Sequence, residues 1–460
     1  MKLRSVLVLM ILASFATAQQ PDFSAAKAEA VKHLQELVRI DTSNPPGNET
    51  RAAEYLKSVL AKEGIASEIV ESAPGRGSLI ARLKGSGAKK PLLLMGHLDV
   101  VGVERARWTV DPFAAEIKDG YVYGRGSSDD KGMDAANLVV FLTLKRLNVP
   151  LDRDVILLAE AGEEGTTEFG IDFLVEKHWE KIAAEYALNE GGASLVTPDG
   201  QVAVVGVSPT QKIPRGLKVI ARGSSGHGSM PRLDDPITHL AAAVAKIGQW
   251  QPPMRLNDTT RAFFARLAKI SPADQAWFYT HLEDPKTQQQ FREHDIALNS
   301  MLRTSISPTI IQGGFRENVI PAEAEATLDV RALPDEDMPK FIATLKELVN
   351  DPAVEIVPLE RGQQRPPAPP SRLDSEMYAA LERAQQKAWP GAATLPVMQV
   401  GATDSAQLRV KGVQAYDIAI PQTDEDRKRV HGNDERISVE QLGKFVEYLW
   451  HATTDIAGKK

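Results

Sequence analysis

Apolar positions along the chain follow two different spacings, one typical of helices and one typical of buried strands. The helical spacing is clearest over 31–38 and 51–62, and the second of these segments ends before Gly64. Short, mostly apolar runs of strand length lie at 79–83, 92–95, 155–159 and 186–188, and a further strand is predicted near 67–70. Because helices and strands alternate in this way, the first half of the chain predicts an α/β fold with a mostly parallel central sheet.

A different pattern begins at about residue 213. Strands with alternating polar and apolar positions are predicted at 217–221, 306–312 and 324–331, and a polar helical segment lies between them at 257–302. Apolar strands then return, and a helix capped by Ser438 closes the chain. These features predict a catalytic domain made of 19–212 and 336–460, interrupted by an inserted α+β domain at 213–335.

Three of the predicted strands in the first half end in acidic or imidazole side chains. The strand ending at 95 is followed by His97 and Asp99, the one ending at 159 by Glu163 and Glu164, and the one ending at 188 by Glu190. Each group alone is more often an ordinary surface or hydrogen-bonded feature. The carboxyl ends of parallel strands meet at one edge of an open sheet, so three such endings indicate one shared site.

The residue types at these strand ends suit metal-assisted hydrolysis. In an extended H-x-D triplet, His97 and Asp99 project to the same side, so one imidazole nitrogen can bind a metal while the carboxylate orients the other. Of the adjacent pair Glu163 and Glu164, one can bind a metal while its neighbour acts on water as a general base. A glycine-punctuated acidic turn at 124–132 offers further carboxylates.

The first eighteen residues have the features of a signal peptide. A basic start is followed by an apolar centre and by an A-x-A cleavage site at Ala16-Thr17-Ala18. The apolar part is too short to remain as a membrane anchor. We therefore expect cleavage near Ala18 and an exported protein, located in the periplasm or secreted.

Composition narrows the partners and the metal ligands. The chain has no cysteine, so a metal site must use His, Asp and Glu, which suits zinc, cobalt or manganese. The formal net charge of −7 argues against nucleic acid as a partner. One short Pro-rich patch, at 365–370, predicts an ordered loop.

The order and spacing of the motifs resemble the M20 family of dinuclear zinc peptidases, which includes aminoacylases, carboxypeptidases and dipeptidases. The resemblance covers nearly the whole chain after the leader. It is carried by Gly96-His97-Leu98-Asp99, the turn from Gly124 to Gly132, Glu163-Glu164-Gly165, Glu190, Gly226-His227, Asn318-Val319-Ile320-Pro321, Arg331 and His431. It implies that the inserted domain is a lid and often a dimerisation surface.

By this resemblance the chain binds two zinc ions, for which cobalt or manganese are alternatives. The implied metal ligands are His97, Asp129, Glu164, Glu190 and His431. His97 and Glu190 would belong to one site, Glu164 and His431 to the other, and Asp129 would bridge the two. Its neighbour in the sequence is also an aspartate, and the family's glycine pattern selects Asp129 as the bridge.

The resemblance also implies three catalytic roles. Glu163 would take a proton from water held between the metals, the resulting hydroxide would attack an amide carbonyl, and Asp99 would hold the His97 ring. His227, flanked by glycines in the inserted domain, would come from a partner chain to stabilise the oxyanion, which makes a homodimer an expectation. The alternative is that His227 lies in a flexible Gly-Ser loop and has no function.

The substrate-binding residues implied by the resemblance are Asn318, Arg331, Thr403 and Asp404. Asn318 and Arg331 would clamp a carboxylate, for which a guanidinium is suited, although an Arg at a strand end is most often solvated. Asp404 could equally cap the helix that follows it. Relatives that cleave Gly-X peptides or long-chain N-acyl amino acids often have Arg directly after Thr-Asp-Ser, where this chain has Ala406.

Together these features predict an exported dinuclear-metal hydrolase that cleaves an amide or peptide bond next to a free carboxylate. Its substrate would be a small peptide or an N-acyl amino acid, as in a carboxypeptidase or an N-acyl-amino-acid hydrolase. One alternative is a dipeptidase that also requires a free amine. Another is a periplasmic binding protein that keeps the fold without turnover, against which the intact Glu163 weighs.

Overall fold

The computed structural model describes residues 20–165, 167–359 and 365–459, and the predicted signal peptide lies outside these residues. The helices are α1 Phe23–Arg39, α2 Glu49–Lys62, α3 Lys131–Arg146, α4 Ile171–Lys177, α5 Trp179–Ile182, α6 Pro236–Gln249, α7 Asp258–Ile270, α8 Ala273–Thr280, α9 Pro285–His294, α10 Ile296–Met301, α11 Met338–Val349, α12 Glu376–Ala388, α13 Ser405–Val410, α14 Asp424–Arg427 and α15 Val439–Ala457. The strands are β1 Ser43–Asn44, β2 Ser67–Glu71, β3 Gly77–Leu83, β4 Leu92–His97, β5 Val100–Val101, β6 Ile117–Lys118, β7 Tyr121–Tyr123, β8 Val155–Glu160, β9 Tyr186–Asn189, β10 Leu195–Val196, β11 Val202–Gln211, β12 Ile213–Pro214, β13 Leu217–Arg222, β14 Gly226–His227, β15 Ser305–Gly313, β16 Val319–Ile320, β17 Glu323–Ala332, β18 Val354–Pro358, β19 Ala393–Gln399, β20 Gln414–Asp417 and β21 Arg436–Ser438.

A nine-stranded sheet forms the centre of the larger domain, in the order β10-β11-β20-β9-β4-β8-β3-β2, with β19 paired to β11. The four central strands β20, β9, β4 and β8 run parallel to one another, whereas β11 is antiparallel to β20. At the other side of the sheet, β3 is antiparallel to both β8 and β2. A short turn joins β2 to β3, and such turns reverse the chain. The predicted α/β class is confirmed, and the sheet is mixed.

Helices bury both faces of this sheet. Leu92 and Leu94 of β4 pack with α1, α2, α3, α12 and α15 on one face, whereas Leu93 and Met95 pack with α4, α5 and α13 on the other. A strand buried on both sides has no polar positions, which explains the continuous apolar run in the sequence. None of the helices in the described ranges combines the length and the hydropathy that a membrane-spanning helix requires.

The smaller domain is built on a five-stranded sheet in the order β12-β17-β13-β18, with β15 paired to β17. Helices α6 and α11 bury their apolar residues against this sheet. The boundary expected after residue 335 therefore falls too early, because α11 and β18 belong to this domain. The chain crosses over in α11 and returns beside β13, where Leu217 pairs with Pro358.

The helical segment α7–α10 also departs from its expected place. Phe264 and Phe291 from this segment share one apolar cluster with Leu395 and Met398 of β19 in the larger sheet. The segment interrupts the smaller domain in sequence, yet it packs against the larger one. Its sequence pattern does not say which sheet its apolar residues cover, and only the packing shows this.

Candidate metal centre

The predicted site residues of the larger domain meet at one edge of its sheet. His97 is the last residue of β4 and pairs with Glu160 at the end of β8. Glu163 and Glu164 follow β8, and Glu190 follows β9, which lies on the other side of β4. The carboxyl ends of three adjacent parallel strands therefore deliver these side chains to the same place.

Asp129 lies between two histidines and faces each of them with a different oxygen. Its Oδ1 is 3.1 Å from His97 Nε2, and its Oδ2 is 3.1 Å from His431 Nε2. His431 Nε2 also lies 2.8 Å from Glu164 Oε1. One carboxylate that serves two imidazoles is the arrangement expected of a bridging metal ligand.

The donor set fits divalent cations. Potential ligand atoms of His97, Asp129 and Glu164 all lie within 4.8 Å of one another, and ligand atoms around one tetrahedral zinc ion lie about 3.3 Å apart. Glu190 and Asp129 line a common cavity of about 240 Å³ beside this group. Imidazole nitrogens and carboxylate oxygens suit zinc, cobalt and manganese.

Buried negative charge dominates the electrostatics of the centre. Burial raises the pKa of Glu163 to about 8, and it raises the pKa values of Glu164 and Glu190 as well. Hydrogen bonds with Asp129 and Glu164 raise the pKa of His431 to about 10. Burial opposes ionisation of Asp129, yet its hydrogen bonds with His431 and His97 hold its pKa below the usual value. Bound cations would neutralise this concentrated charge.

Asp99 holds the site together, partly in a way that differs from the prediction. The ring of His97 lies 2.9 Å, measured from Nδ1, from the main-chain carbonyl of Asp99, and 3.4 Å from its carboxylate. The Asp99 carboxylate accepts hydrogen bonds from the main-chain N–H groups of Glu163 and Glu164, each at 3.0 Å. Asn44, which sequence analysis did not select, donates to the same carboxylate at 2.7 Å.

Glu435 is a second residue that sequence analysis did not select. Its buried Oε1 accepts hydrogen bonds from the main-chain N–H groups of Ser128 at 2.9 Å and Asp129 at 3.1 Å. Its other oxygen pairs with Arg125 at 2.6 Å. Glu435 thus fixes the loop that carries Asp129. The only sign of this role in the sequence is that Glu435 lies four residues after His431.

Thr403 and Asp404 are fully buried. The Thr403 hydroxyl donates to Gln211 Oε1 at 2.9 Å. Asp404 stands at the N-terminus of α13, but its side chain makes no capping hydrogen bond and instead pairs with Arg365. Neither side chain is open to a substrate, so the structure does not support their predicted substrate-binding role.

The predicted lid residues fall at two opposite ends of β17. His227 is exposed and bonds to Ser229, and the main-chain carbonyl of Asn318 accepts from Gly228 N–H at 2.9 Å. Arg331, near the other end of the strand, donates to Asp329 at 2.9 Å. A strand of this length spans roughly 30 Å, so Asn318 and Arg331 do not meet within one chain.

Comparison with known proteins places most of the chain in the family that its motifs resemble. A family model described as Peptidase family M20/M25/M40 matches residues 93–455. Human N-fatty-acyl-amino acid synthase/hydrolase PM20D1 is 30% identical over 459 residues, which cover 94% of this chain and 88% of the human protein. Probable carboxypeptidase S-like 2 from Dictyostelium discoideum is 28% identical over 387 residues, which cover 81% of this chain and 73% of that protein.

Two solved structures share the fold. The M20 family metallo-carboxypeptidase Sso-CP2 from Sulfolobus solfataricus has a TM-score of 0.66 at 20% identity, covering 92% of this chain and 98% of that chain. The Bacillus subtilis YXEP protein, described as a dinuclear metal binding peptidase from the M20 family, has a TM-score of 0.62 at 15% identity, covering 94% and 98%. At 20% and 15% identity, these two comparisons show a shared fold and nothing more.

Proposed function

We propose a substrate class and a mechanism for this enzyme on the premise that the chain belongs to the M20 peptidase family. As a member it is a metallopeptidase or amidohydrolase. The proposed reaction is hydrolysis of an amide bond next to a free carboxylate, in a small peptide or an N-acyl amino acid. One observation carries this proposal. The two carboxylate oxygens of Asp129 each lie beside a different histidine, and the adjacent pair Glu163 and Glu164 lies at the same edge of the sheet.

The residues of the chain divide the work of the proposed reaction. His97, Asp129, Glu164, Glu190 and His431 would hold two divalent cations. When bound, the cations would acidify a water molecule and polarise the scissile carbonyl. Glu163 would accept the proton from that water on its carboxylate and pass it to the departing nitrogen. The Asp99 carboxylate keeps the main chain of Glu163 and Glu164 in place.

The lining of the cavity beside Asp129 and Glu190 supports the proposal that the substrate is an N-acyl amino acid or a peptide with an apolar side chain. Its wall includes Met133, Ile418 and Ile420 together with polar groups. Apolar walls with few polar groups are usual for small-molecule sites. The name of the human relative, an N-fatty-acyl-amino acid synthase/hydrolase, agrees with such a substrate.

Three matched substrates test the proposed specificity: an N-acyl dipeptide, its C-terminal amide, and the free-amine dipeptide. With zinc added, and with the products followed by mass spectrometry, we expect the N-acyl dipeptide to be hydrolysed. Its amide should be hydrolysed at least ten-fold more slowly, because it has no carboxylate for a cationic group of the protein to bind. Cleavage of the free-amine dipeptide alone would instead support a dipeptidase. No cleavage of any of them would favour a binding protein.

Arg331 remains the proposed partner of the substrate carboxylate, by resemblance to the family. Arg331→Ala is the matched variant for the same assay, and it should raise KM for the acid without changing KM for the amide. If the variant changes neither, Arg331 is not the anchor. Arg427, which lines the cavity beside Glu190, would then be the next arginine to test.

We propose that the smaller domain pairs with a second copy of the chain through β15. This edge strand bonds to β17 and exposes Ile310 by 50% and Ile311 by 63%. Exposed apolar edges invite pairing with another chain. A partner subunit would also explain how His227, which lies in the smaller domain, could reach a metal centre formed by the larger domain.

Ile311→Glu is expected to convert the dimer into a monomer in light scattering and to lower activity. Ile117→Glu is the matched control, since Ile117 is 51% exposed on a different sheet. If His227 acts across the dimer, mixed dimers of His227→Ala and Glu163→Gln chains should recover part of the activity. A wild-type protein that is monomeric at working concentration would contradict the proposal.

Export is the remaining proposal, and it depends on the predicted signal peptide at 1–18. Amino-terminal sequencing of the protein purified from its native host is expected to start near Gln19. A protein that retains Met1 would contradict export through this signal.

A further inference from the structure

We propose that Arg365 is a positioning residue for catalysis, which fixes the Glu163 carboxylate at the metal centre through a buried ion pair. The inference rests on the proposed role of Glu163 as the base. Arg365 belongs to the Pro-rich connection between β18 and α12, 202 residues from Glu163 along the chain. No motif in the sequence links the two residues.

The guanidinium of Arg365 spans two carboxylates. Its Nη2 donates to Glu163 Oε1 at 2.5 Å, and its Nη1 lies 2.9 Å from Asp404 Oδ1. Arg365 is only 1% exposed. Since the planar group is held at both ends and screened from water, it defines the position of the Glu163 carboxylate more closely than a solvated cation would.

The main chain around Arg365 is anchored on both domains. The carbonyl oxygen of Arg365 accepts a hydrogen bond from Arg215 Nη1 at 2.9 Å, at the start of the smaller domain. A few residues later, Ser371 N–H donates to the Pro209 carbonyl at 2.8 Å, and its hydroxyl donates to the Ala415 carbonyl at 2.7 Å. These bonds fix the main chain that carries the guanidinium.

Helix α13, which follows Asp404, offers this carboxylate no cationic partner of its own. Ala406 is buried and uncharged. Arg409, which follows in the same helix, is turned to Asp417 at 3.0 Å. Asp404 therefore holds Arg365, and Arg365 holds Glu163, in a chain of buried ion pairs.

The geometry separates this role from recognition of a substrate carboxylate. A substrate anchor needs a free face of the guanidinium, whereas both ends of Arg365 meet carboxylates of the protein. Loss of Arg365 would leave the Glu163 carboxylate without its charged partner and free to change rotamer. A shift of about 1 Å in a reacting group can cost about 10²-fold in rate.

The first measurement is steady-state kinetics of Arg365→Ala, with metal content determined in parallel. We expect kcat to fall about 10²-fold, with KM changed by less than about two-fold and two metal ions retained. Arg365→Lys should recover part of kcat, because it keeps the charge without the fork. Arg153→Ala is the matched control. Arg153 is also 1% exposed, but its partner Glu185 precedes β9 and so lies at the end of that strand away from the metal centre.

A double-mutant cycle with Glu163→Gln distinguishes positioning from general structural support. In the Glu163→Gln background, Arg365→Ala should lower the residual kcat little further, because its target is already gone. In the metal-free protein, the shifts of melting temperature caused by the two substitutions should likewise be less than additive. Losses that multiply, or a raised KM with unchanged kcat, would overturn the proposal.

Two outcomes distinguish failure of the proposed base, Glu163, from failure of the proposed role of Arg365. If Glu163→Gln is as active as the wild type, the base assignment fails and the role of Arg365 fails with it. If Glu163→Gln is inactive while Arg365→Ala is fully active, only the role of Arg365 fails. Should Arg365→Ala not fold, Arg365→Lys and Asp404→Asn enter the same cycle, and full activity in both would overturn the proposal.

Discussion

Glu163→Gln is expected to lower kcat by about 10³-fold or more while the protein still binds two metal ions. The substitution keeps the shape of the side chain but removes its ability to accept a proton, and general base catalysis contributes about 10²–10⁴-fold. Glu163 itself is not among the proposed metal ligands. The measurement combines steady-state kinetics on the N-acyl dipeptide with elemental analysis of the dialysed protein.

Glu104→Gln is the control for this substitution, because Glu104 is exposed and pairs only locally with Arg107. Its kcat should match the wild type. A Glu163→Gln protein that turns over at the wild-type rate would refute the catalytic assignment. A wild-type protein that binds the substrate without cleaving it would support the binding-protein alternative.

Asp129→Ala is expected to release both metal ions and to abolish activity, whereas His431→Ala should release mainly one. Asp129 faces both histidines with separate oxygens, so its loss removes a ligand from each ion and the charge that holds the two cations near each other. His431 contacts only one of these oxygens. Added zinc should raise the melting temperature of the wild type but not that of Asp129→Ala, because a ligand stabilises only the state that binds it.

Asp130→Asn is the matched control, since Asp130 is the neighbouring carboxyl. Burial raises the pKa of Asp130 well above its usual range, so an amide of the same shape resembles its protonated form. Its Oδ2 accepts a long 3.4 Å hydrogen bond from the His97 main chain. Asp130→Asn should therefore retain both ions. Retention of metal by Asp129→Ala with loss from Asp130→Asn would show that the bridge is the other aspartate.

The place of the centre could be predicted from the sequence because it follows from strand direction. β4, β8 and β9 are short apolar runs, and a parallel arrangement brings their carboxyl ends to one edge whatever the order of the strands. His97 and Glu190 need only follow their strands directly to reach that edge. The family and enzyme class expected from these motifs are confirmed by the match over residues 93–455.

The extent of the smaller domain could not be predicted, because it depends on pairing between distant strands. β18 has no feature that assigns it to either sheet until it is seen beside β13. The helices α7–α10 likewise show which sheet they cover only through their contact with β19. The separation of Asn318 from Arg331 within one chain is a related case, because the two residues lie near opposite ends of β17 although they are close in sequence.

The sequence by itself determined which chemical groups stand at the strand ends, because alternation and strand length are local properties of the chain. Only the tertiary structure decided which groups support them. Asn44, Glu435 and Arg365 reach the centre from parts of the chain far from the strands that carry the site, and their contacts leave no periodic signal in the sequence. Buried polar groups need partners, and folding chooses those partners from anywhere in the chain.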